Sequence, residues 1–353
     1  VTKRGVDRRR LALLACQENH WHLYNISETS APLFNRQPVA LDKPCRVKTG
    51  DEVQFGDDDR YLVDLEMQGT STIRSMDLIK RIHSGRGGDL YEARWLRATR
   101  VEDVAVRLLP EDFGRDIDQI RRFLRAVPTA VKLVHPNIVR LRKAGRVRHT
   151  DRSVWYLAFE FMTGGSLRDK LRARKGSRLG LKSCKRVVVG VAHALGAAQR
   201  HQIVHRNISP SCILFDIDDH VKLGDFTLAK GEVLDTIYDI TRGKLLPGDY
   251  HYQSPEVLAA SGQANITADF YSVAVCLFEA LAGSLPFDTT QSEAMTITTM
   301  SRFNWPSIRD FMPEIPVAWQ EFLARNLSRD PALRSASPEE FLNEAKSLPT
   351  GNA

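Results

Sequence analysis

The chain has 353 residues, 42% hydrophobic and 26% charged, with a formal net charge of +7; the length favours two domains and the composition is that of an ordinary globular protein. Its arginines are scattered and no long basic run interleaves with aromatics, so the excess charge reads as a solvated surface and argues against a nucleic-acid partner. Five cysteines, odd in number and without a CxxC pair, argue against a disulfide framework and a zinc site and suit a reducing cytoplasm.

Residues 1–68 carry short alternating runs such as Trp21-His22-Leu23-Tyr24 and Tyr61-Leu62-Val63-Asp64-Leu65 between turn-forming residues, a pattern that predicts an all-β segment. No charged, apolar and small-residue leader is read at its start. Residues 69–75 form a short polar linker. From Met76 the texture changes: strand-like runs at 89–95 and 104–109 give way, after residue 165, to helical patterns at 187–200 and 269–282. The most apolar run, 270–287, contains Glu279 and Gly283 and follows Asp269, so it predicts a buried helix and not a membrane span. The expected layout is α+β, with a small β-rich lobe over about 76–162 and a large helical lobe over about 163–348.

The N-terminal segment, through Gly50-Asp51-Glu52-Val53-Gln54-Phe55-Gly56 with Val6-Asp7-Arg8-Arg9-Arg10 and Asn25-Ile26-Ser27-Glu28-Thr29 upstream, resembles part of a forkhead-associated (FHA) β-sandwich. That family binds phosphothreonine through a Ser and an Arg before one strand and a Thr-Asn-Gly loop. Here the Ser position is Asp7, the following His is Arg10, and the loop reads Thr29-Ser30-Ala31. A carboxylate facing a phosphate repels it, and the strands supplying a further phosphate-binding Arg are not read. A structural or protein-contact role is therefore expected over phosphopeptide binding.

Residues 76–348 resemble a eukaryotic-type Ser/Thr protein kinase, a bilobal fold, through motifs in one order and spacing. Ile82-His83-Ser84-Gly85-Arg86-Gly87-Gly88 with Asp89-Leu90-Tyr91-Glu92-Ala93 matches the glycine-rich loop over the ATP phosphates. Val104-Ala105-Val106-Arg107 takes the place of Val-Ala-Val-Lys, and His135-Pro136-Asn137-Ile138-Val139 the turn after the regulatory helix. Phe159-Glu160-Phe161-Met162 and Gly164-Gly165-Ser166-Leu167 look like the adenine-binding hinge. His205-Arg206-Asn207-Ile208-Ser209-Pro210-Ser211-Cys212 occupies the catalytic loop, Gly224-Asp225-Phe226-Thr227 the metal-binding motif, and Ser254-Pro255-Glu256 the end of the activation segment.

The supporting half of the pattern is intact. The resemblance implies that Glu256 pairs with Arg334, that Asp269 accepts hydrogen bonds from the catalytic-loop backbone, that Leu90, Ala105 and Leu214 sandwich adenine, and that His205 and Phe226 pack in a column linking the lobes. The chemical half departs from the family. Phosphoryl transfer needs a Lys held by a Glu, two metal ligands and a base. The Lys is Arg107, a planar fork rather than a compact ammonium, and Ala126 stands where the helix should present its Glu. The base is Asn207, an amide that takes no proton near neutral pH. The phosphate-contacting Lys is Ser209, and the second metal ligand is Cys212, a soft sulfur unsuited to magnesium. His83 replaces the first glycine of the loop, Thr227 the glycine after Phe226, and Asp249 the Thr that binds the base. Asp225 alone remains as a metal carboxylate.

Loss of a general base alone costs about 10²- to 10⁴-fold, and the departures gather on one pocket. The resemblance therefore implies a pseudokinase, a kinase-fold signalling or scaffold module that binds a protein partner. The alternative is an active, divergent Ser/Thr kinase transferring the γ-phosphate of ATP to protein hydroxyls. In either case His83, Gly85, Gly88, Leu90, Ala105, Arg107, Glu160, Met162, Leu214 and Asp225 are the candidate contacts to ATP, with magnesium only weakly held.

Overall fold

The computed structural model describes residues 12–17, 20–25, 33–40, 45–47, 52–55, 59–62, 76–85, 88–97, 100–109, 127, 133–149, 152–173, 178–226, 250–258, 265–287 and 293–351. Before residue 76 these form β1 (Ala12–Gln17), β2 (His20–Asn25), β3 (Leu33–Phe34), β4 (Gln37–Pro38), β5 (Cys45–Val47), β6 (Glu52–Phe55) and β7 (Asp59–Leu62). They make two sheets, of order β1-β2-β5 and β4-β3-β6-β7. The hairpin between β3 and β4 turns on Asn35 and Arg36, with φ of 47° and 68°, the paired positive φ that suits the twist of a two-residue hairpin. The runs at Trp21 and Tyr61 fall in β2 and β7, and the turn at Gly50 precedes β6. Asp7, Arg10, Thr29, Ser30, Ala31 and the linker 69–75 lie outside the described residues.

The small lobe is one antiparallel sheet of β8 (Met76–Gly85), β9 (Gly88–Arg97), β10 (Arg100–Leu108), β11 (Leu141–His149) and β12 (Arg152–Glu160), in the order β11-β12-β10-β9-β8. Strand side chains alternate between faces. Val104, Val106 and Leu108 on β10 accordingly point to the same core as Val154, Tyr156 and Ala158 on β12, with Met76, Ala93 and Trp95. Gly88 opens β9 at φ +95°, and a Cβ there would stand 1.9 Å from the Leu108 carbonyl oxygen. Only glycine lets the hairpin base lie this close to the end of β10.

The large lobe contains α1 (Leu167–Arg172), α2 (Leu181–Gln199), β13 (Ile213–Phe215), β14 (Val221–Leu223), α3 (Pro255–Leu258), α4 (Ile266–Ala282), α5 (Glu293–Arg302), α6 (Val317–Asn326) and α7 (Pro338–Ser347). Helix α4 is its axis. Every residue of it except Thr267 is buried, as expected of a helix apolar all round and packed on every side. Asn265 caps it, its side chain accepting from Thr267 N at 3.0 Å, and Gly283 ends it at φ 86°. No helix among the described residues is long and apolar enough to cross a membrane.

The two lobes are stitched beside the cleft. Val139 N donates to Leu223 O at 2.9 Å and Leu223 N to Asn137 O at 2.8 Å. The segment His135 to Val139 is thereby tied to β14. Between β10 and Leu133 only Leu109 and Val127 are described, so Ala126 lies outside the described residues.

Candidate functional site

The loop from His205 to Cys212 is held from below by α4. The Asp269 carboxylate, fully buried, accepts from His205 N and Arg206 N, each at 2.7 Å. Burial pushes the pKa of this carboxyl up, against the opposing pull of His205, Arg206 and the two backbone bonds. Arg206 adopts φ 66°, the turn that presents both amides to one carboxylate. His205 Nδ1 accepts from Asn207 N at 3.3 Å while Nε2 faces Gly224 O at 2.8 Å, so its hydrogen sits on Nε2. Its ring meets Phe226 edge-on, with centroids 4.7 Å apart. The loop and the metal motif are thus fixed to each other through one imidazole.

On this fixed loop the chemically decisive position is Asn207. Its Oδ1 lies 3.5 Å from Gln253 Nε2, which also donates to Arg206 O at 2.9 Å. The amide is drawn toward the end of the activation segment and offers no basic atom. Ser209 is buried, and Cys212 is turned into its own loop: its sulfur accepts from Ser209 N at 3.2 Å and lies 3.1 Å from Ser209 O. Burial pushes the Cys212 thiol up to about 12, so it stays protonated and serves the loop as a hydrogen-bonding staple. Asp249 and Thr227 lie outside the described residues.

Across the cleft, Arg107 on β10 reaches the metal motif. Its Nη1 donates to Asp225 Oδ1 at 2.6 Å, with the two side chains 17% and 21% exposed. Asp225 sits at φ 62°, between Gly224, whose N donates to Cys212 O at 2.8 Å, and the packed Phe226. Leu90 stands opposite Arg107 in the β9–β10 register, and Ala105 opposite Phe159 on β12. Leu90, Ala105 and Leu214 are half-buried and Met162 is buried. His83 is exposed on β8, in register with Leu90, and Gly85 pairs with Gly88 at the base of the glycine hairpin. Arg86 lies outside the described residues.

Glu160, expected at the adenine hinge through its backbone, has its side chain engaged elsewhere. Its carboxylate accepts from Lys222 Nζ at 2.9 and 3.0 Å and from Arg140 N at 2.8 Å. It ties β12 to β14 from behind the cleft. Sequence reasoning missed Lys222, although a lysine flanked by the buried Val221 and Leu223 signals a side chain facing away from the lobe core. It also missed Gln253 and the buried group in which Tyr252 donates to Glu279 Oε2 at 2.6 Å while Arg168 bonds both. Burial disfavours the Arg168 charge, but Tyr252 and Glu279 outweigh it and raise its pKa.

Below the loop, Arg334 forms the expected bidentate pair with Glu256, at 2.7 and 2.9 Å, and its guanidinium lies 4.9 Å over the Tyr271 ring. Burial would push the Glu256 carboxyl up, yet the hydrogen bond and charge of Arg334 hold it below its ordinary value of 4.5.

The residues fit the two halves of a metal-nucleotide ligand unequally. Leu90, Ala105, Met162 and Leu214 are apolar side chains of the kind that would pack against adenine. Magnesium demands hard oxygen ligands in near-octahedral array, and this site offers one carboxylate already bonded by a guanidinium and a protonated, inward-facing thiol. The described donor set does not fit magnesium.

A profile of the family described as protein kinase domain matches residues 76–345. The chain is 29% identical over 269 residues to the serine/threonine-protein kinase PrkC of Bacillus subtilis, covering 76% of this chain and 40% of that protein. It is 30% identical over 293 residues to the serine/threonine-protein kinase PknJ of Mycobacterium tuberculosis, covering 82% of this chain and 48% of that protein. It therefore spans less than half the length of these relatives. The kinase domain of Mycobacterium tuberculosis PknI, solved as a double mutant, superposes with a TM-score of 0.59 at 21% identity over 79% of this chain and 99% of that one. That likeness supports the bilobal fold.

Proposed function

The chain belongs to the protein kinase domain family, and we propose that within it this protein is a pseudokinase, a kinase-fold module that acts by binding a protein partner. The observation that carries the reading is Asn207: an amide stands at the base position of a loop whose frame of Asp269, His205 and Phe226 is complete. A loop that had merely decayed would be expected to lose its supports along with its base. Here the supports persist and the proton acceptor does not. The turned-in Cys212 and the Arg107–Asp225 pair point the same way.

The residues 76–348 form the kinase-like unit in this reading, and residues 1–68 an FHA-like β domain with a protein-contact role, joined by the linker 69–75. A cytoplasmic setting suits five cysteines, odd in number and without a CxxC pair. Adenine nucleotide is the ligand that the lining of Leu90, Ala105, Met162 and Leu214 would take. The competing reading, an active divergent Ser/Thr kinase, draws on one observation: Asp225 is held inward beside the cleft. It still needs a carboxylate to do the work Asn207 cannot. Incubation of purified protein with ATP and magnesium or manganese separates the two, since a pseudokinase labels neither itself nor a generic substrate above the level of Asp225→Ala.

A further inference from the structure

We propose that the Arg107 guanidinium takes the place of the divalent cation at Asp225, so that the cleft binds an adenine nucleotide without magnesium. The inference deepens the pseudokinase reading and rests on its nucleotide half.

Both ends of the pair are anchored in backbone that has little freedom. Arg107 lies in the middle of the small-lobe sheet, in register with Leu90 on one side and with Leu157, 1% exposed, on the other. Asp225 follows Gly224, bonded to the catalytic loop through Cys212 O, and precedes Phe226, packed on His205. The 2.6 Å bond joins two elements far apart in sequence across the mouth of the site. Because both side chains are less than a quarter exposed, solvent and salt screen their attraction less than that of a surface pair.

A guanidinium is a planar cationic fork, and its direct bond to Asp225 Oδ1 occupies the oxygen that the motif would offer a metal. A magnesium ion would therefore have to displace the Arg107 fork from Asp225, with the Cys212 sulfur at the companion position turned into its own loop. Arg107 supplies a positive charge where the metal would have supplied it, beside the end of the slot that faces the phosphates. A nucleotide seated on the apolar lining thus meets a cation that the chain itself provides.

The test is a titration of a fluorescent ATP analogue into the full chain, in EDTA and in excess magnesium, beside Arg107→Met, which keeps the apolar stem and frees Asp225. Affinities for the unaltered chain should agree within about twofold in the two conditions, whereas Arg107→Met should bind about tenfold more tightly with magnesium than in EDTA. A tenfold or larger gain on adding magnesium to the unaltered chain, on the same scale, overturns the proposal if Asp225→Ala abolishes it. If no nucleotide binds in either condition, the nucleotide half fails. The metal half is then read with manganese alone by electron paramagnetic resonance: uptake that Asp225→Ala removes overturns it, and no Asp225-dependent uptake upholds it.

Discussion

In the proposed pseudokinase, Asn207, Cys212 and Arg107 are the side chains that alter the chemistry of the cleft while Asp269, His205 and Phe226 keep its loop in place. Replacing Asn207 with Asp adds a carboxylate that Gln253 Nε2 can still donate to, so folding should be undisturbed. Transfer should nevertheless stay absent, because Asp225 remains bonded to Arg107 and the Cys212 thiol remains turned inward. Label incorporation by Asn207→Asp with ATP and manganese checks this; clear transfer by the single variant would contradict it. The Glu256–Arg334 pair gives a second expectation. Removing one partner from a buried pair costs about 3–5 kcal/mol, so Arg334→Met should lower the melting temperature by many degrees. The carboxyl of Glu256 is held below 4.5 in the fold, and a lowered native pKa adds stability above the unfolded value and loses it as pH falls toward the native one. Stability should therefore decline with acid below about pH 4.5, and Glu256→Gln should flatten that part of a melting-against-pH curve.

Elements explain which of these features the sequence could reveal. Helix α4 was legible because a run of apolar residues containing Asp269 and Glu279 suits a helix buried on every side, with its charged groups individually bonded. Its start at Ile266, earlier than the pattern at 269–282 indicates, follows from the Asn265 cap. Asn265→Ala should cost about 0.5–2 kcal/mol in chemical denaturation, typical of losing one side-chain cap, and no loss would mean that packing alone sets that end. The supports of the catalytic loop were legible only through the resemblance to the kinase family, which implied the Asp269 bonds to the loop backbone and the packing of His205 on Phe226. The reach of Arg107 was not. Residue type tells that a guanidinium differs from an ammonium, but only strand register and the φ of Asp225 bring the two groups to 2.6 Å. Cys212 was likewise open to reading as a soft ligand, because burial and the direction of its sulfur are properties of the folded loop.

At the scale of the molecule, two lobes meet along a seam of backbone bonds between residues 137–139 and Leu223 and the Glu160–Lys222 pair. Arg107 and Asp225 bond each other directly at the site, within the bilobal fold of the protein kinase domain family. In the proposed pseudokinase such a frame would let a bound ligand favour one lobe arrangement over others through linked stability. The most direct test is phosphoryl transfer by the full chain from radiolabelled ATP, with magnesium and then manganese, to itself and to a generic protein substrate. The account predicts no incorporation above that of Asp225→Ala; incorporation that Asp225→Ala abolishes would contradict it.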